Sequence, residues 1–337
     1  MTTTELFLLA AVLAAFLSYL LTWAIRPLLL RHVLANPNAR SSHRVPTPQG
    51  GGTAVIAATL IVAGLVIGYV NAFNFAAVPL TVFCATLFIA LVGMADDIKS
   101  IPVLPRLLLQ AAAVGAIILA APAEARIVPA CPLWIERGLA WIAGLWFVNL
   151  VNFMDGLDLM TVAEVVPITA AIIVLGWLSE FPPSATIVAA ALCGAMLGFA
   201  PFNRPVAKIF LGDVGSLPIG LLLGWCLLQL AHHGQFAAVL LLPLYYLSDA
   251  TLTLLRRMTK GEPFWAAHRS HFYQRATDGG YSVPRVVSEV FVLNIALAIL
   301  AVTSIELGSF AADFVCLLAG ASAVTLVLYR FARRSAP

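Results

Sequence analysis

The segment AAVPLTVFCATLFIALVGMADDIKS, residues 76–100, carries a long apolar run into two adjacent carboxylates, Asp96 and Asp97. A helix needs about 20 apolar residues to cross the hydrocarbon core of a bilayer. Acidic side chains at the end of such a helix are costly unless they meet a cation or water. The segment therefore predicts a transmembrane helix that ends in a polar, functional site.

Similar apolar runs recur along the whole chain. Of its 337 residues, 61% are hydrophobic and 10% are charged, whereas a soluble domain has roughly 25% charged residues. We therefore predict an all-α, polytopic membrane protein in which residues 1–337 form one integral membrane domain. The eleven predicted transmembrane helices lie at about residues 5–25, 51–70, 76–95, 107–122, 138–153, 160–178, 185–201, 216–232, 236–255, 286–304 and 312–329.

The basic residues orient these spans. All of the 19 Lys and Arg residues except Arg126 and Arg137 fall in one alternating set of loops and chain ends. Cytoplasmic loops carry the excess of Lys and Arg in membrane proteins. The N-terminus is therefore expected on the periplasmic side and the C-terminus in the cytoplasm.

Polar residues concentrate in five segments of the chain. All five fall on the side that the basic residues assign to the cytoplasm, which favours one shared cleft over five unrelated loops. The segments cover residues 26–50, 96–106, 149–159, 202–216 and 256–285.

Carboxylates recur in these segments together with basic residues. Mg²⁺ is typically held by one or two carboxylates plus substrate phosphates and water, and basic side chains complement phosphate charge. The pattern predicts magnesium-dependent phosphoryl chemistry on a nucleotide or another phosphate ester. The acids are Asp96, Asp97, Asp155, Asp158 and Asp213, and the basic residues are Lys99, Lys208, Arg269 and Arg275.

Five motifs resemble those of the polyprenyl-phosphate N-acetylhexosamine-1-phosphate transferases, and they follow that family's order. They are similar to its first cytoplasmic loop, its D-D-x-x-K, N-x-x-N-x-x-D-G and F-x-G-D-x-G-S motifs, and its last, histidine-containing loop. In this chain they read SSHRVPTPQGGG (41–52), DDIK (96–99), NLVNFMDG (149–156), FLGDVGS (210–216) and HRSH (268–271). The likeness extends over most of the chain.

The resemblance implies a reaction. Members of the family move a sugar-1-phosphate from a UDP-sugar to undecaprenyl phosphate and release UMP, with Mg²⁺ or Mn²⁺ as the cofactor. The last loop, residues 261–276, lacks the His-His-His form of the peptidoglycan branch. It looks like the branch that initiates O-antigen with UDP-linked FucNAc, QuiNAc, GalNAc or GlcNAc.

The resemblance also implies partners and a location. The expected partners are a UDP-N-acetylhexosamine, undecaprenyl phosphate and the lipid bilayer, with no nucleic acid; a homodimer is left open. The expected location is the bacterial inner membrane, with the active site facing the cytoplasm.

Residue roles are carried over from the same motifs. Asp213, Asp97 and Asp155 are expected to bind the metal. The expected catalytic residues are Asp96, Asp97, Asp155 and Lys99, and the expected substrate-binding residues are His43, Asn149, Asn152, His268, Arg269, His271 and Arg275. The two asparagines are alternatively helix caps or interhelical hydrogen-bonding residues, and the histidines of the last loop are alternatively interface residues.

Other readings of the sequence stay open. Transfer by direct in-line attack is favoured over a covalent phosphoryl-aspartate intermediate, and the sequence alone does not separate the two. A UbiA-like prenyltransferase also pairs aspartates with Mg²⁺, but it would need two D-x-x-x-D-type motifs. A secondary transporter would place its acids near the membrane midplane, often within repeats, whereas here they gather at one face.

Overall fold

The computed structural model describes residues 3–35, 46–71, 79–178, 181–263 and 268–333, which are mostly helical. The helices are α1 (Thr3–His32), α2 (Gly52–Val70), α3 (Leu80–Ile98), α4 (Val103–Ala120), α5 (Leu133–Met154), α6 (Met160–Trp177), α7 (Pro183–Phe199), α8 (Asp213–His232), α9 (Phe236–Leu241), α10 (Leu244–Thr259), α11 (Phe272–Asp278), α12 (Val283–Leu307) and α13 (Phe310–Ala332). A short 3-10 helix, Ala200–Phe202, follows α7, and two short strands, β1 (Leu34–Ala35) and β2 (Thr47–Pro48), lie between α1 and α2.

Nine helices within the described ranges are long and apolar enough to cross a membrane. They are α1 to α4, α6 to α8, α12 and α13. The two other predicted spans correspond to α5 and to the pair α9 and α10, which a break at Leu242 and Pro243 separates. Proline has no backbone N–H and interrupts a helix at such a point. The predicted all-α, polytopic class is confirmed, while the count of eleven spans and their orientation stay predictions.

Helix α8 lies in the middle of the bundle and positions the polar residues described below. It packs against α2, α3 and α5, while α1 and α2 pack against α7, and α6 packs against α12. Together with α7 it is the most deeply buried of the candidate spans. A helix that is apolar on all sides, as α8 is after its first turn, belongs in such a core.

Two glycines bring the start of α8 close to its neighbours. A Cβ atom on Gly52 of α2 would lie 2.2 Å from the Cα atom of Gly215. A Cβ atom on Gly93 of α3 would lie 2.3 Å from the carbonyl oxygen of Asp213. Side chains at these positions would push α8 away, so glycine is required for this packing.

The segment after β2 joins the segment before α8 through backbone hydrogen bonds. Strands β1 and β2 pair antiparallel, with Leu34 opposite Pro48. The N–H of Phe210 then donates to the carbonyl of Pro48 at 2.8 Å, and the N–H of Gly52 donates to the carbonyl of Leu211 at 2.8 Å. Two motifs that are far apart in the sequence therefore meet at the first turn of α8.

Replacing Gly52 with alanine tests this packing. We expect Gly52→Ala to lower the stability of the folded protein by about 2 kcal/mol, because overpacking at a backbone contact forces the helices apart. The matched control is Gly138→Ala in α5, where an added Cβ would meet no atom within 4 Å. Thermal unfolding in detergent measures both variants, and equal unfolding temperatures would contradict the close α2–α8 contact.

Candidate active site

A cluster of polar side chains forms where α3 and α5 end and α8 begins. Asp96 and Asp97 belong to the last turn of α3, Asn152 to the last turn of α5, and Asp213 is the first residue of α8. Asp155 follows α5 directly. The structure thus brings together five of the residues predicted from the sequence motifs.

Asp97 holds the first turn of α8. One of its carboxylate oxygens accepts the backbone N–H of Asp213 at 2.9 Å, and the other accepts the N–H of Val214 at 3.1 Å. The side-chain amide of Gln49 donates to the first of these oxygens. A carboxylate at a helix N-terminus satisfies unpaired N–H groups and meets the positive end of the helix dipole. These bonds favour a positioning role for Asp97 over the direct catalytic and metal-binding roles predicted from the sequence.

Gly212 makes this contact possible. Its φ angle is +78°, in the left-handed region that residues other than glycine rarely adopt. A Cβ atom at Gly212 would also lie 2.5 Å from a carboxylate oxygen of Asp97. The glycine before Asp213 in the FLGDVGS motif therefore has a steric reason.

Asp213 is a partly exposed carboxylate at the centre of the cluster. The side-chain amide of Asn152 donates to its Oδ1 at 2.8 Å and to the hydroxyl of Ser216 at 2.9 Å. Its other oxygen lies 3.7 Å from the guanidinium of Arg106, and 23% of its side chain is exposed. Asp213 is therefore oriented by Asn152 and open to a ligand.

Arg106, from the first turn of α4, links two of the acids. It donates to Asp96 at 2.6 Å and faces Asp213 at 3.7 Å. The other oxygen of Asp96 accepts the backbone N–H of Ile101. The carboxylates of Asp96 and Asp213 therefore share one cation, Arg106. One guanidinium thus offsets part of the repulsion between two neighbouring acids.

Asp155 lies beside this group, in the turn between α5 and α6. The hydroxyl of Thr161 donates to its carboxylate. Loss of solvent around the carboxyl raises the pKa of Asp155 to about 7, and the negative charges of Asp97 and Asp158 act in the same direction. Asp158 accepts the backbone N–H of Ala207 at 3.0 Å. That bond ties the Asp155 turn to the loop before α8.

Two predicted site residues lie apart from the cluster. Asn149 is buried one turn earlier in α5 and donates to the side chain of Gln110 at 2.7 Å and to the carbonyl of Leu145 at 2.8 Å. It therefore links α5 to α4, which agrees with the alternative prediction that Asn149 makes a hydrogen bond between helices. Lys99 follows α3 with an exposed side chain. His43, predicted to bind substrate, lies outside the described residues.

The last loop is held by a buried acid that the sequence analysis did not single out. Asp249 of α10 is 0% exposed. It accepts hydrogen bonds from the ring Nδ1 of His271 at 3.2 Å and from the backbone N–H groups of Phe272 at 2.9 Å and Tyr273 at 3.1 Å. With Asp249 accepting at Nδ1, the Nε2 atom of His271 is left for another partner.

The same loop packs against the turn that carries Asp155. The hydroxyl of Tyr273 donates to the carbonyl of Phe153 at 3.1 Å. The ring of Phe153 lies 6.5 Å from that of His271, and the His268 ring lies 4.9 Å from that of His271. The two histidines are therefore on the side of the loop that faces the end of α5.

The two arginines of the loop have other contacts. Arg269 donates to the carboxylate of Asp278 at 3.0 Å. Arg275 donates to the carbonyl of Ala332 at 3.1 Å, and its guanidinium lies over the ring of Phe272. Arg275 thus joins α11 to the end of α13, whereas Arg269 pairs with a partly exposed acid.

Three residues of the site were missed as site residues: Gln49, Arg106 and Asp249. Gln49 lies within the first quoted motif, and Arg106 was counted only as a basic loop residue. Asp249 offered a clearer signal, because an acid within a predicted span is costly and marks a functional position. Its partners are distant in sequence, so the pairing needed the structure.

The acids fit a magnesium ion that takes part of its ligands from a substrate. Within the described ranges, no three His, Cys, Asp or Glu side chains form a group that could hold a metal by themselves. Mg²⁺ is commonly held by only one or two carboxylates together with phosphates and water. Asp213, whose side chain is 23% exposed, offers one such carboxylate, and Asp96, which is 8% exposed, is linked to it through Arg106.

Exchanging Asp97 for asparagine tests its positioning role. We expect Asp97→Asn to lower the unfolding temperature in detergent by roughly 4 °C, because an amide NH₂ group would face a backbone N–H donor. Asp213→Asn is the matched control, since its amide oxygen can still accept from Asn152. If both variants unfolded at the wild-type temperature, Asp97 would have no positioning role.

Exchanging Asp249 for asparagine tests the support of the last loop. We expect Asp249→Asn to lower the unfolding temperature by roughly 4 °C or more, because a buried acceptor of several hydrogen bonds is lost. The control is Asp278→Asn, whose partly exposed ion pair with Arg269 contributes little. A fall of the same size in both variants would argue against a special role for Asp249.

Comparison with known proteins gives a family match and two kinds of relative. Residues 79–231 match the model of glycosyl transferase family 4. The chain is 26% identical to the decaprenyl-phosphate N-acetylglucosaminephosphotransferase of Mycolicibacterium smegmatis in an alignment of 326 positions that covers 84% of this chain and 78% of that protein. The enzyme of the same name from Mycobacterium tuberculosis is 27% identical over the same shares.

A second kind of relative matches the chain over a shorter length. The phospho-N-acetylmuramoyl-pentapeptide-transferase of Limosilactobacillus reuteri is 30% identical over 170 residues, covering 50% of this chain and 51% of that protein. The family segment 79–231 contains all five residues of the polar cluster. The chain thus matches the model of glycosyl transferase family 4 over residues 79–231 and is similar, over 84% of its length, to decaprenyl-phosphate N-acetylglucosaminephosphotransferases.

Proposed function

We propose that this protein transfers an N-acetylhexosamine-1-phosphate from a UDP-sugar to undecaprenyl phosphate and releases UMP. The product is the lipid-diphospho-sugar that initiates a surface polysaccharide such as O-antigen. The observation that carries this proposal is the contact between Asp96, Asp213 and Arg106, with Asn152 orienting Asp213, at one end of a membrane bundle. Acids and a cation at a membrane surface suit a reaction between a lipid phosphate and a water-soluble diphosphate.

An apolar cavity supports the lipid partner. It has a volume of about 330 Å³ and lies between α4, α5, α8, α9 and α10. Its lining includes Ile117, Phe147, Leu221, Leu228 and Leu240. Two of the helices that line it, α5 and α8, carry Asn152 and Asp213 at their ends. An isoprenoid chain has the apolar character that such a cavity accepts.

The proposed chemistry depends on alignment and charge. The attacking group is a phosphate oxygen of the lipid, which is already anionic near neutral pH, so a general base has little to do. We therefore propose direct in-line attack on the β-phosphorus of the UDP-sugar, with UMP as the leaving group. Phosphoryl transfer of this kind is catalysed chiefly by positioning and electrostatics.

Residues of the cluster divide these tasks. Asp213, with Asp96 beside it, would hold the Mg²⁺ or Mn²⁺ ion. When bound, this ion lowers the repulsion between the two phosphate groups and stabilises the leaving UMP. Asn152 keeps Asp213 in place, Asp97 fixes the turn from which Asp213 projects, and Asp155 adds a further carboxylate at the edge of the cluster.

The cations on the other side of the site face the substrates. Arg106 pairs with Asp96 and offers positive charge to a phosphate group. The exposed Lys99 directly follows the end of α3, which carries Asp96. His268 and His271 contact the diphosphate or the sugar from the last loop, with Asp249 orienting the ring of His271. We place the site on the cytoplasmic face of the bacterial inner membrane, where the UDP-sugar is available.

Two other classes of protein fit less well. A secondary transporter would carry its acids near the middle of its helices, whereas Asp96, Asp97 and Asp213 lie at helix ends. A UbiA-like prenyltransferase would pair two D-x-x-x-D-type motifs. Here the acids come from the end of α3, the turn after α5 and the start of α8. Neither class would release UMP.

The activity is tested with the purified protein in detergent, undecaprenyl phosphate, Mg²⁺ and a panel of UDP-N-acetylhexosamines. We expect UMP release with one of these sugars, loss of release with EDTA, and a fall of about 100-fold or more in Asp213→Asn, because the loss of a metal-holding carboxylate removes transition-state stabilisation. Asp278→Asn serves as the surface control. UMP release that is indifferent to EDTA and to Asp213→Asn would contradict the proposed site.

A further inference from the structure

A buried acid lies inside the bundle, apart from the proposed active site. Glu164 of α6 and Asn294 of α12 are each 1% exposed. The side-chain nitrogen of Asn294 donates to Oε2 of Glu164 at 2.6 Å and to the backbone carbonyl of Ala163 at 3.0 Å. Both helices are candidate membrane spans. The pair therefore joins two helices within the apolar bundle.

The contact with Ala163 sets the orientation of the Asn294 amide. A backbone carbonyl can only accept a hydrogen bond, so the NH₂ group must face it. Both amide hydrogens are then used, one on Ala163 and one on Glu164. Two oxygens are left without a partner among the described residues, Oδ1 of Asn294 and Oε1 of Glu164.

Among the described residues, no positive charge is paired with Glu164. Across the part of the chain that the structure describes, the lysine, arginine and histidine ion pairs do not include Glu164. The buried hydroxyl of Tyr246 is another neighbour of Glu164, and it carries no positive charge. An ionised carboxylate with one neutral donor is costly in an apolar interior.

We propose that Glu164 is a neutral carboxylic acid that forms a reciprocal acid–amide pair with Asn294. The proton on Oε1 of Glu164 donates to Oδ1 of Asn294, while Nδ2 of Asn294 donates to Oε2 of Glu164. One added proton satisfies both unpartnered oxygens and removes the buried charge. Buried polar groups are retained where every member has a partner.

This pair is a positioning element for the active site. Helix α6 begins directly after the turn of Asp155, and α12 follows α11, which begins after His271. The Tyr273–Phe153 hydrogen bond connects α11 to the end of α5, next to the Asp155 turn. The Glu164–Asn294 pair connects the following helices, α12 and α6, inside the bundle. This positioning role rests on the proposed function, whereas the protonation of Glu164 does not.

Infrared difference spectroscopy and thermal unfolding test the protonation without any substrate. At neutral pH, we expect the wild-type protein minus Glu164→Gln to show the carbonyl band of a protonated carboxylic acid. Glu306→Gln, at an exposed acid near the end of α12, is the matched control and should remove a carboxylate band instead. The absence of an acid band in the Glu164 difference spectrum would overturn the proposal.

Two variants distinguish a neutral Glu164–Asn294 pair from a Glu164 whose negative charge is required. Glutamine can make both reciprocal bonds, so Glu164→Gln should keep the unfolding temperature and keep UMP release within about twofold of wild type. Glu164→Leu leaves the Asn294 amide unpaired and should lower the unfolding temperature by roughly 4 °C and also reduce UMP release. Equal loss in both variants would overturn the neutral pair. A missing UMP signal in the wild type, with the infrared and unfolding results intact, would count against the proposed function alone.

Discussion

The site depends on the hydrogen bonds between the carboxylate of Asp97 and the backbone N–H groups in the first turn of α8. The carboxylate satisfies backbone N–H groups that a buried helix start would otherwise leave without partners. Only small residues allow it, because Gly93 and Gly212 bring the α3 end and the α8 start within contact. With α8 fixed in this way, Asp213 projects beside Asp96, Arg106 and Asn152. The adjacent acids of the DDIK motif therefore have different partners: Asp97 holds the first turn of α8, and Asp96 pairs with Arg106.

The other half of the site is the last loop with its two histidines, and buried residues of the helix bundle hold it in place. Asp249 lies inside the bundle and holds the start of α11, which places His271 against the end of α5. The Tyr273–Phe153 hydrogen bond and the proposed Glu164–Asn294 pair connect this half to the Asp155 turn. Such buried polar contacts are costly unless every polar group has a partner, and here they connect the histidine loop to the end of α5. The acids lie at the ends of spans because one proposed substrate is held in the bilayer and the other arrives from water.

The sequence was sufficient for the class of fold and for most of the carboxylate cluster. Long apolar runs predict membrane helices well, and the motifs of Asp96, Asp97, Asn152, Asp155 and Asp213 marked residues that do meet in space. It did not predict the pairings, because Asp97 with Gln49 and Asp249 with His271 join segments whose approach depends on helix packing. Asn149 shows the same limit: its motif suggested a substrate contact, but its neighbour in the bundle is Gln110. Pro243 explains why one predicted span divides into α9 and α10.

The most direct measurement follows phosphorus between the two substrates. Purified protein would receive undecaprenyl phosphate and a UDP-N-acetylhexosamine that is radiolabelled only at the β-phosphorus, and the lipid and aqueous fractions would then be separated. Transfer of a sugar-1-phosphate predicts that the label and the sugar enter the lipid fraction together while unlabelled UMP stays in water. Sugar in the lipid fraction with the label left in soluble UDP would show transfer of the sugar alone. That result would contradict phosphoryl transfer at the Asp96–Asp213 cluster.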